Sequence, residues 1–300
     1  MKKSKIFKFI FGILAVVISL NIALLYISAP SSNADDNIVV EDKEIVIDTS
    51  ATVPDFESAI DCYLFAEAKL AKTTCYSKIN GYVKGIALDK VMVHQTMNNE
   101  RIIDNELYCY STSKSEKKAD LGKNNYQKVA FDNKSENGLI YKMVTDKLNS
   151  DGTPNYSNCK WQTFTQKEHI ETNGSLPGTM MYLIRESTVR RTEIFEKLED
   201  GSYHFKFLLN NRSSVVSYKK LVRQSAGSYA ISYPAFSHVG FEAWVDANGN
   251  FIKYIMDDTA TISMGIGPLS LDCTMISHYE ENFITMGGNV ERPFEVPFAS

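Results

Sequence analysis

Hydrophobic and polar residues alternate with a period of two along most of the chain beyond about residue 80, and this alternation predicts β-strands. Turn residues, among them several Asn-Gly and Asp-Gly pairs, separate one alternating run from the next. The runs are NGYVKGIALDKVMVHQTM, ELYCYSTS, YQKVAFD, LIYKMVTD, MMYLIRES, TEIFEKLEDGSYHFKFLLN, VGFEAWVDANGNFIKYIMDDTATISM and LSLDCTMISHYEEN. We therefore expect a series of long strands that are joined mostly by tight turns.

Apolar side chains occupy one face of these strands. The other face is mixed, which is typical of an antiparallel sheet with one face on the core. In the clearest two runs the apolar positions are Tyr203, Phe205, Phe207 and Leu209, and Leu269, Leu271, Cys273 and Met275.

Two segments have helical rather than strand periodicity. PDFESAIDCYLFAEAKLAK at 54–72 repeats apolar residues at helical spacing, and SSVVSYKKLVRQSAG at 213–227 begins with two serines and stops at a glycine. The sequence thus predicts an α+β fold. Its main part is a strongly curved, mainly antiparallel sheet, a half-barrel, covered by a few helices.

The N-terminus has the pattern of a segment that engages the membrane. Lysines cluster within residues 2–8, and an uncharged, mostly apolar stretch follows at 9–29. Its length favours an uncleaved transmembrane anchor, but Ser32 and Ala34 also fit a signal-peptide cleavage site. In both cases the basic flank stays in the cytoplasm and the rest is exported. We expect a single-pass membrane protein with an extracytoplasmic body, or a secreted protein if it is cleaved after Ala34.

Four regions follow from these patterns. Residues 1–34 form the signal peptide or anchor, and 35–53 form a polar, acidic tether in which an edge strand at 44–48 is the alternative. The sheet domain occupies 54–290, and 291–300 form a C-terminal tail.

Composition and charge narrow the range of partners. The chain has 300 residues, 44% of them hydrophobic, so it can bury a large core. Its formal net charge is −4, and Lys and Arg are scattered, which argues against a nucleic-acid partner.

The stretch VDANGNFIKYIMD at 245–257 resembles a calcium-binding loop, because oxygen side chains occupy alternate positions from Asp246 and Asp257 lies at position 12. Such a loop needs Gly at position 6, where this chain has Phe251. Asp-Ala-Asn-Gly is instead typical of a turn between two strands. We therefore predict a hairpin turn and no metal site.

The length of this turn decides which side chains share a face. A two- or four-residue turn places Ile252, Tyr254 and Met256 on the face of Phe241. A three-residue turn places them on the face of Trp244 instead.

Cysteine and histidine positions indicate no catalytic or metal centre. The five cysteines include no C-x-x-C pair, and their pairing stays open. Carboxylates follow His169 in KEHIE and His278 in SHYEE, a pattern more typical of solvated surface. The chain also contains none of the common nucleophile, zinc or nucleotide motifs. We predict a non-enzymatic protein without a cofactor, and a cluster of His and carboxylates in the fold would favour an enzyme instead.

The helix that leads into YSKINGYVKG, the strands around NNERIIDNELYCYSTS and the late hairpin WVDANGNFIKYIMDDTATISM together resemble the exported LolA/LppX/RseB-type lipoprotein-carrier fold, over about residues 55–285. The resemblance implies a curved sheet that helices close around an apolar cavity for acyl chains. The chain lacks the lipidated Cys of the lipoprotein members.

Two functions are consistent with these expectations. In the first, the protein binds a lipid or other apolar small molecule in a cavity lined by Phe205, Phe207, Ile252, Tyr254 and Met256. An ordinary packed core is the alternative for the same side chains. In the second, the sheet is filled, and the protein is a membrane-anchored structural or interaction module that meets an envelope protein.

Overall fold

The computed structural model describes residues 47–49, 53–104, 108–117, 124–132, 134, 137–226, 230–266 and 269–296. The predicted anchor, most of the tether and the last four residues lie outside this set. No helix in the described ranges is long and apolar enough to cross a membrane. Residues 47–49 have no regular structure, so these three give no support for an edge strand at 44–48.

The described part of the chain contains one open sheet of eleven antiparallel strands. The strands are β1 (Cys75–Ala87), β2 (Lys90–Ile103), β3 (Tyr108–Lys117), β4 (Asn125–Asp132), β5 (Ile140–Thr145), β6 (Gln162–Phe164), β7 (Val189–Lys197), β8 (Tyr203–Leu209), β9 (Ala235–Val245), β10 (Phe251–Ile266) and β11 (Leu269–Met286). Their order across the sheet is β6-β5-β4-β3-β2-β1-β11-β10-β9-β8-β7. The sheet does not close, and this arrangement is consistent with the predicted curved antiparallel sheet.

The first and last strands pair in the middle of the sheet. Cys75 lies opposite Met286 at one end of the β1–β11 pair, and Ile86 lies opposite Thr274 at the other. Two meanders therefore meet along this pair. We call β1–β6 the N-terminal half of the sheet and β7–β11 the C-terminal half.

Three α-helices accompany the sheet in the described residues: α1 (Ala59–Leu70), α2 (Gln166–Asn173) and α3 (Val216–Ala226). The predictions of α1 and α3 are confirmed, and Ser213–Val215 form a short 3₁₀ turn before α3. Helix α2 was not predicted from the sequence. Its signal is the capping box in which Thr165 and Glu168 satisfy each other's backbone N–H groups.

The strand predicted for MMYLIRES at 180–187 is wrong. This segment has no regular strand, and it crosses the core with Tyr182 and Ile184 fully buried. The backbone N–H of Leu183 donates to the carbonyl of Ser214 at 2.8 Å rather than to a sheet neighbour. The alternation of apolar residues thus reflects alternate burial in a segment that lies outside the sheet.

The main core lies between α1, α3 and one face of the C-terminal half, which we call the inner face. The predicted apolar set of β8 is confirmed, because its four members are at most 3% exposed. Cys273 and Met275 of β11 also belong to this core. Cys62, Cys75, Cys159 and Cys273 are free thiols.

The hairpin turn predicted around Asp246 is confirmed. The backbone N–H of Asp246 donates to the carbonyl of Asn250 at 2.8 Å, and one Asp246 carboxylate oxygen accepts from the N–H groups of Asn248 and Asn250. Gly249 has φ +78°, and a Cβ there would lie 2.4 Å from the ring of Phe65. Glycine therefore lets the turn pack directly on α1.

Candidate functional site

The predicted cavity residues separate into two groups. Phe205, Phe207, Tyr254 and Met256 lie in the main core and are at most 4% exposed. Ile252 lies outside that core and is 44% exposed. The structure therefore brings four of the five together and does not place Ile252 with them.

A β-bulge explains the position of Ile252. Phe251 pairs with Val245, but the next pair along the two strands is Lys253 with Trp244, so Ile252 has no partner. A bulge adds one residue to one strand and shifts the alternation of its side chains. Phe251 and Tyr254 consequently both face the core, and Ile252 faces away from it.

Side chains of α1 fill the space over the candidate residues. The ring of Tyr63 is fully buried, and its centroid lies 6.4 Å from that of Phe207, 5.4 Å from that of Phe241 and 6.0 Å from that of Phe251. Edge-to-face contacts at these distances are favourable aromatic packing. Its hydroxyl donates to Glu67 at 2.8 Å, and burial raises the pKa of this phenol.

A buried carboxyl group completes the same core beside Tyr254. Glu281 is 1% exposed, and it accepts hydrogen bonds from the hydroxyls of Tyr254 and Ser77. It also forms an ion pair with Arg101 at 2.5 Å, and Arg101 donates to the carbonyl of Gly178 at 3.0 Å. The polar end of Tyr254 is therefore engaged by the protein itself.

A second buried carboxyl group lies under α3. Asp258 is 1% exposed, and the hydroxyl of Tyr182 donates to it at 2.8 Å. Burial raises the pKa of Asp258 to about 6, and hydrogen bonds from Tyr182, Ser277 and Tyr218 oppose this increase. This acid can change its protonation state close to neutral pH.

The inner face of the N-terminal half has a different chemistry. The register of β2, β3 and β4 aligns Asn99, Ser113 and Gln127 in one row, and Met97, Ser115 and Asn125 in the next. Directly paired residues of an antiparallel sheet point to the same side. Asn99, Asn125 and Gln127 lie on the same face as Arg101, and they are here called the amide cluster.

The amide cluster contains polar atoms that are buried without hydrogen bonds. They are Oδ1 of Asn99, both amide atoms of Asn125 and Oε1 of Gln127, and Asn125 is 6% exposed. A buried polar atom that is left without a hydrogen bond lowers the stability of a protein by about 1–3 kcal/mol. Buried polar groups of this kind are normally satisfied by ordered water or a ligand.

A buried lysine lies one row from the amide cluster. Lys142 of β5 lies opposite Val129, is 9% exposed, and forms no ion pair with any carboxylate that the structure describes. Burial lowers the pKa of Lys142 to about 8. Nδ1 of nearby His169 donates to the carbonyl of Ser175 at 2.9 Å, and burial lowers the pKa of this imidazole to about 4.

The outer face carries a histidine between two carboxylates. The two ring nitrogens of His204 lie 2.8 Å from Glu196 and 2.8 Å from Glu242. The ring stacks on Trp244 with the centroids 4.4 Å apart, and Lys253 lies over the indole. Trp244 therefore occupies the outer face of the sheet. Because both nitrogens are engaged, the imidazole has no free position for a substrate.

His278 has its partner on the neighbouring strand rather than in its own sequence motif. Its Nδ1 lies 2.6 Å from Asp257, and its ring stacks on Tyr82 at 5.5 Å. Groups of three or more His, Cys, Asp or Glu side chains that could hold a metal ion do not occur among the described residues.

The predicted C-terminal tail begins as a packed segment. Val290, Phe294 and Val296 contact an outer-face cluster of Ile102, Tyr110 and Ala130. Its residues 291–296 thus cover part of the N-terminal half from the outside.

Two aliphatic side chains are exposed at the β1–β2 turn. Leu88 is 54% exposed and Val91 is 56% exposed. β1 ends opposite Thr274 of β11, and Thr274 pairs with Thr261 near the far end of β10. The β1–β2 turn therefore lies at the end of the sheet that is opposite to the β9–β10 turn. We call Leu88 and Val91 the hairpin tip.

Comparison with known proteins gives only distant similarities. No family model and no curated protein matches the chain. A β-barrel-like protein of the domain of unknown function DUF1849 from Brucella abortus is 9% identical over 72% of this chain and 98% of its own, with a TM-score of 0.24. MucB in complex with MucA(peri) is 5% identical over 74% and 94%, with a TM-score of 0.15.

A third structure, an N-terminal dehydratase from the difficidin assembly line, is 9% identical over 74% of this chain and 82% of its own, with a TM-score of 0.13. All three TM-scores are too low to support an argument about function. The finer resemblance to the LolA/LppX/RseB-type carriers stays a prediction.

Proposed function

We propose that this chain is a non-enzymatic interaction module of the cell envelope. The basic residues at 2–8 and the apolar stretch at 9–29 hold it at the cytoplasmic membrane, with the body outside. The body presents its sheet to an envelope protein. It carries no lipid between α1 and the sheet.

The observation that carries this proposal is the packed aromatic core. The side chain of Tyr63 occupies the position over β8, β9 and β10 where an acyl chain would lie in a carrier. Phe205 and Phe207 are fully buried against the protein's own side chains. Room for an apolar ligand would require α1 to leave the sheet and expose these rings, at a cost of several kcal/mol.

The hairpin tip is the surface that we assign to the partner. The chain reaches the body near Val53, which lies beside Gly249 of the β9–β10 turn. Thr261 of β10 lies level with Ile86 at the end of β1, because both pair with Thr274. Ten residues of β10 separate the β9–β10 turn from this level, a distance of about 30 Å. The hairpin tip can therefore extend away from the membrane toward a protein with an apolar surface.

Crosslinking in cells tests this assignment. A photoreactive amino acid at Leu88 or Val91 of the full-length chain should give an adduct with a second protein. The same amino acid at Leu198, which is 37% exposed near the β7–β8 turn, is the control and should not. Adducts that are equally strong at all three sites, or absent at the hairpin tip, would argue against the proposed surface.

The contents of the core provide a second test. Mass spectrometry of the purified full-length protein should detect no apolar molecule at a fixed ratio to the chain. A stoichiometric lipid that survives detergent exchange would favour the carrier function instead.

A further inference from the structure

Lys142 and the amide cluster occupy three successive rows of one surface: the row of Lys142, the row of Asn99 and Gln127, and the row of Asn125. Gln127 of β4 lies in the row next to Val129, and Lys142 of β5 pairs with Val129. Diagonal neighbours in adjacent strands have Cα atoms about 7–8 Å apart, within reach of a lysine side chain. The ammonium group and the amides can therefore contact one small molecule.

This surface is deeply buried yet incompletely bonded. Asn125 is 6% exposed, and neither its carbonyl oxygen nor its amino group has a hydrogen-bond partner. On the same face, Glu281 and Arg101 bond to each other and to their neighbours. Oδ1 of Asp258 in the C-terminal half is also buried without a partner, but the amide cluster holds four such atoms on three residues of β2 and β4.

The charge of Lys142 indicates the missing group. A buried ammonium ion is stable only when an anion or a set of acceptors compensates it. No carboxylate that the structure describes forms an ion pair with Lys142. Primary amides donate and accept hydrogen bonds, so they complement hydroxyl and amide groups beside an acid.

We propose that the inner face of β2–β5 binds a small organic anion. Its carboxylate or phosphate group pairs with Lys142, and its hydroxyl or amide groups bond to the amide cluster. This ligand site goes beyond the proposed protein interaction and lies apart from the hairpin tip, so either can fail while the other holds.

Matched sugars test the charge and its source. Glucuronate carries a carboxylate, glucose 6-phosphate carries a phosphate, and glucose has the same ring without a charge. Isothermal titration of the full-length protein in detergent micelles should give at least about tenfold tighter binding for one anion than for glucose. The preferred anion identifies the acidic group.

Variants assign the binding to these residues. Lys142→Met should remove the difference between the anions and glucose, and Asn125→Leu should weaken all three sugars. Lys147→Met, an exposed change just beyond β5, is the matched control and should bind like the parent protein. Nitrogen NMR of the Lys142 amine provides a readout in the parent chain, where the anion should raise its pKa.

Three results would overturn the proposal. Glucose could bind as tightly as both anions, Lys147→Met could reduce binding as much as Lys142→Met, or no sugar could bind. In the last case, an unchanged NMR signal of Lys142 at millimolar anion, with ordered water on the amides in a crystal structure, would assign the site to water alone. If Lys142→Met does not fold, the NMR titration decides alone.

Discussion

The two halves of the inner face differ in how their buried groups are satisfied. In the C-terminal half, aromatic rings from the sheet and α1 contact one another, and Glu281 has three hydrogen-bonding neighbours. In the N-terminal half, Asn125 is almost as buried as Glu281, but its amide has no partner. Asp258 of the C-terminal half also has one buried oxygen without a partner, but the N-terminal half gathers four such atoms in Asn99, Asn125 and Gln127. Burial alone therefore does not show whether a polar group is satisfied.

The largest expected effect tests whether the aromatic half is an ordinary core. Phe207→Ala should lower the free energy of unfolding by about 3–5 kcal/mol, because it removes a fully buried ring between Tyr63 and Phe241. Urea unfolding measures the change. Ile252→Ala on the opposite face should cost less than about 1 kcal/mol. A small effect of Phe207→Ala would indicate a loose core with room for a ligand.

A somewhat smaller effect is expected from the buried ion pair. Glu281→Gln leaves Arg101 without its anion and should destabilise the protein by about 3 kcal/mol in the same assay. Glu193→Gln, which breaks an exposed pair with Arg191, should change little. The joint replacement of Glu281 by Leu and Arg101 by Met should recover part of the loss. Failure to recover any of it would show that the shape of the pair matters more than its charge.

The pH dependence of stability tests the second buried acid. The pKa of Asp258 is raised from 3.8 to about 6, so the folded state binds its proton more tightly than the unfolded state. Its contribution to stability is complete below pH 4 and is lost as the pH rises through about 6, a loss of about 3 kcal/mol at most.

Unfolding of the parent chain and of Asp258→Asn should be compared from pH 4 to pH 7. The variant should lack this decrease, and Asp257→Asn on the outer face should keep it. Parallel curves for the parent and for Asp258→Asn would place the pKa of this acid near its ordinary value.

The smallest effect has the opposite sign and concerns the amide cluster. Asn125→Leu should leave stability unchanged or raise it by about 1 kcal/mol without ligand, because the substitution removes unsatisfied polar atoms. Asn211→Leu is the matched change, and it should cost about 1 kcal/mol because the Asn211 amide donates to the carbonyl of Phe236 at 2.7 Å. Thermal unfolding without added ligand compares the two. Equal losses would mean that Asn125 is as well bonded as Asn211.

Much of the fold could be predicted from local patterns. The period of two in β8, the helical spacing in α1 and the Asp-Ala-Asn-Gly turn each depend on residues close in sequence. The pairing of β1 with β11 could not be predicted, because their contacts join residues about 200 apart. The position of Ile252 was missed because a single bulge reverses the face of every later residue.

The candidate sites were less predictable than the fold. Apolar residues at inward positions have the same pattern in a packed core and in a cavity, so Phe205 and Tyr254 could not distinguish the two. The polar surface had a signal that was overlooked: Asn99, Gln127 and Lys142 occupy inward positions of their strands. Whether such residues find hydrogen-bond partners depends on which strands lie next to them, and the sequence alone does not give the order of the strands.

The pairing of β1 with β11 also constrains how the protein folds during synthesis. The sheet cannot be completed until residues 269–286 have been synthesised, although β1 emerges near the start of the body. Contacts between distant segments slow folding, because a long loop must close before they form. Until then, Ser77 and the other inward groups of β1 lack their partners on β11. The nascent body therefore has an unpaired strand edge, and it needs protection from aggregation for as long as its last strand is delayed.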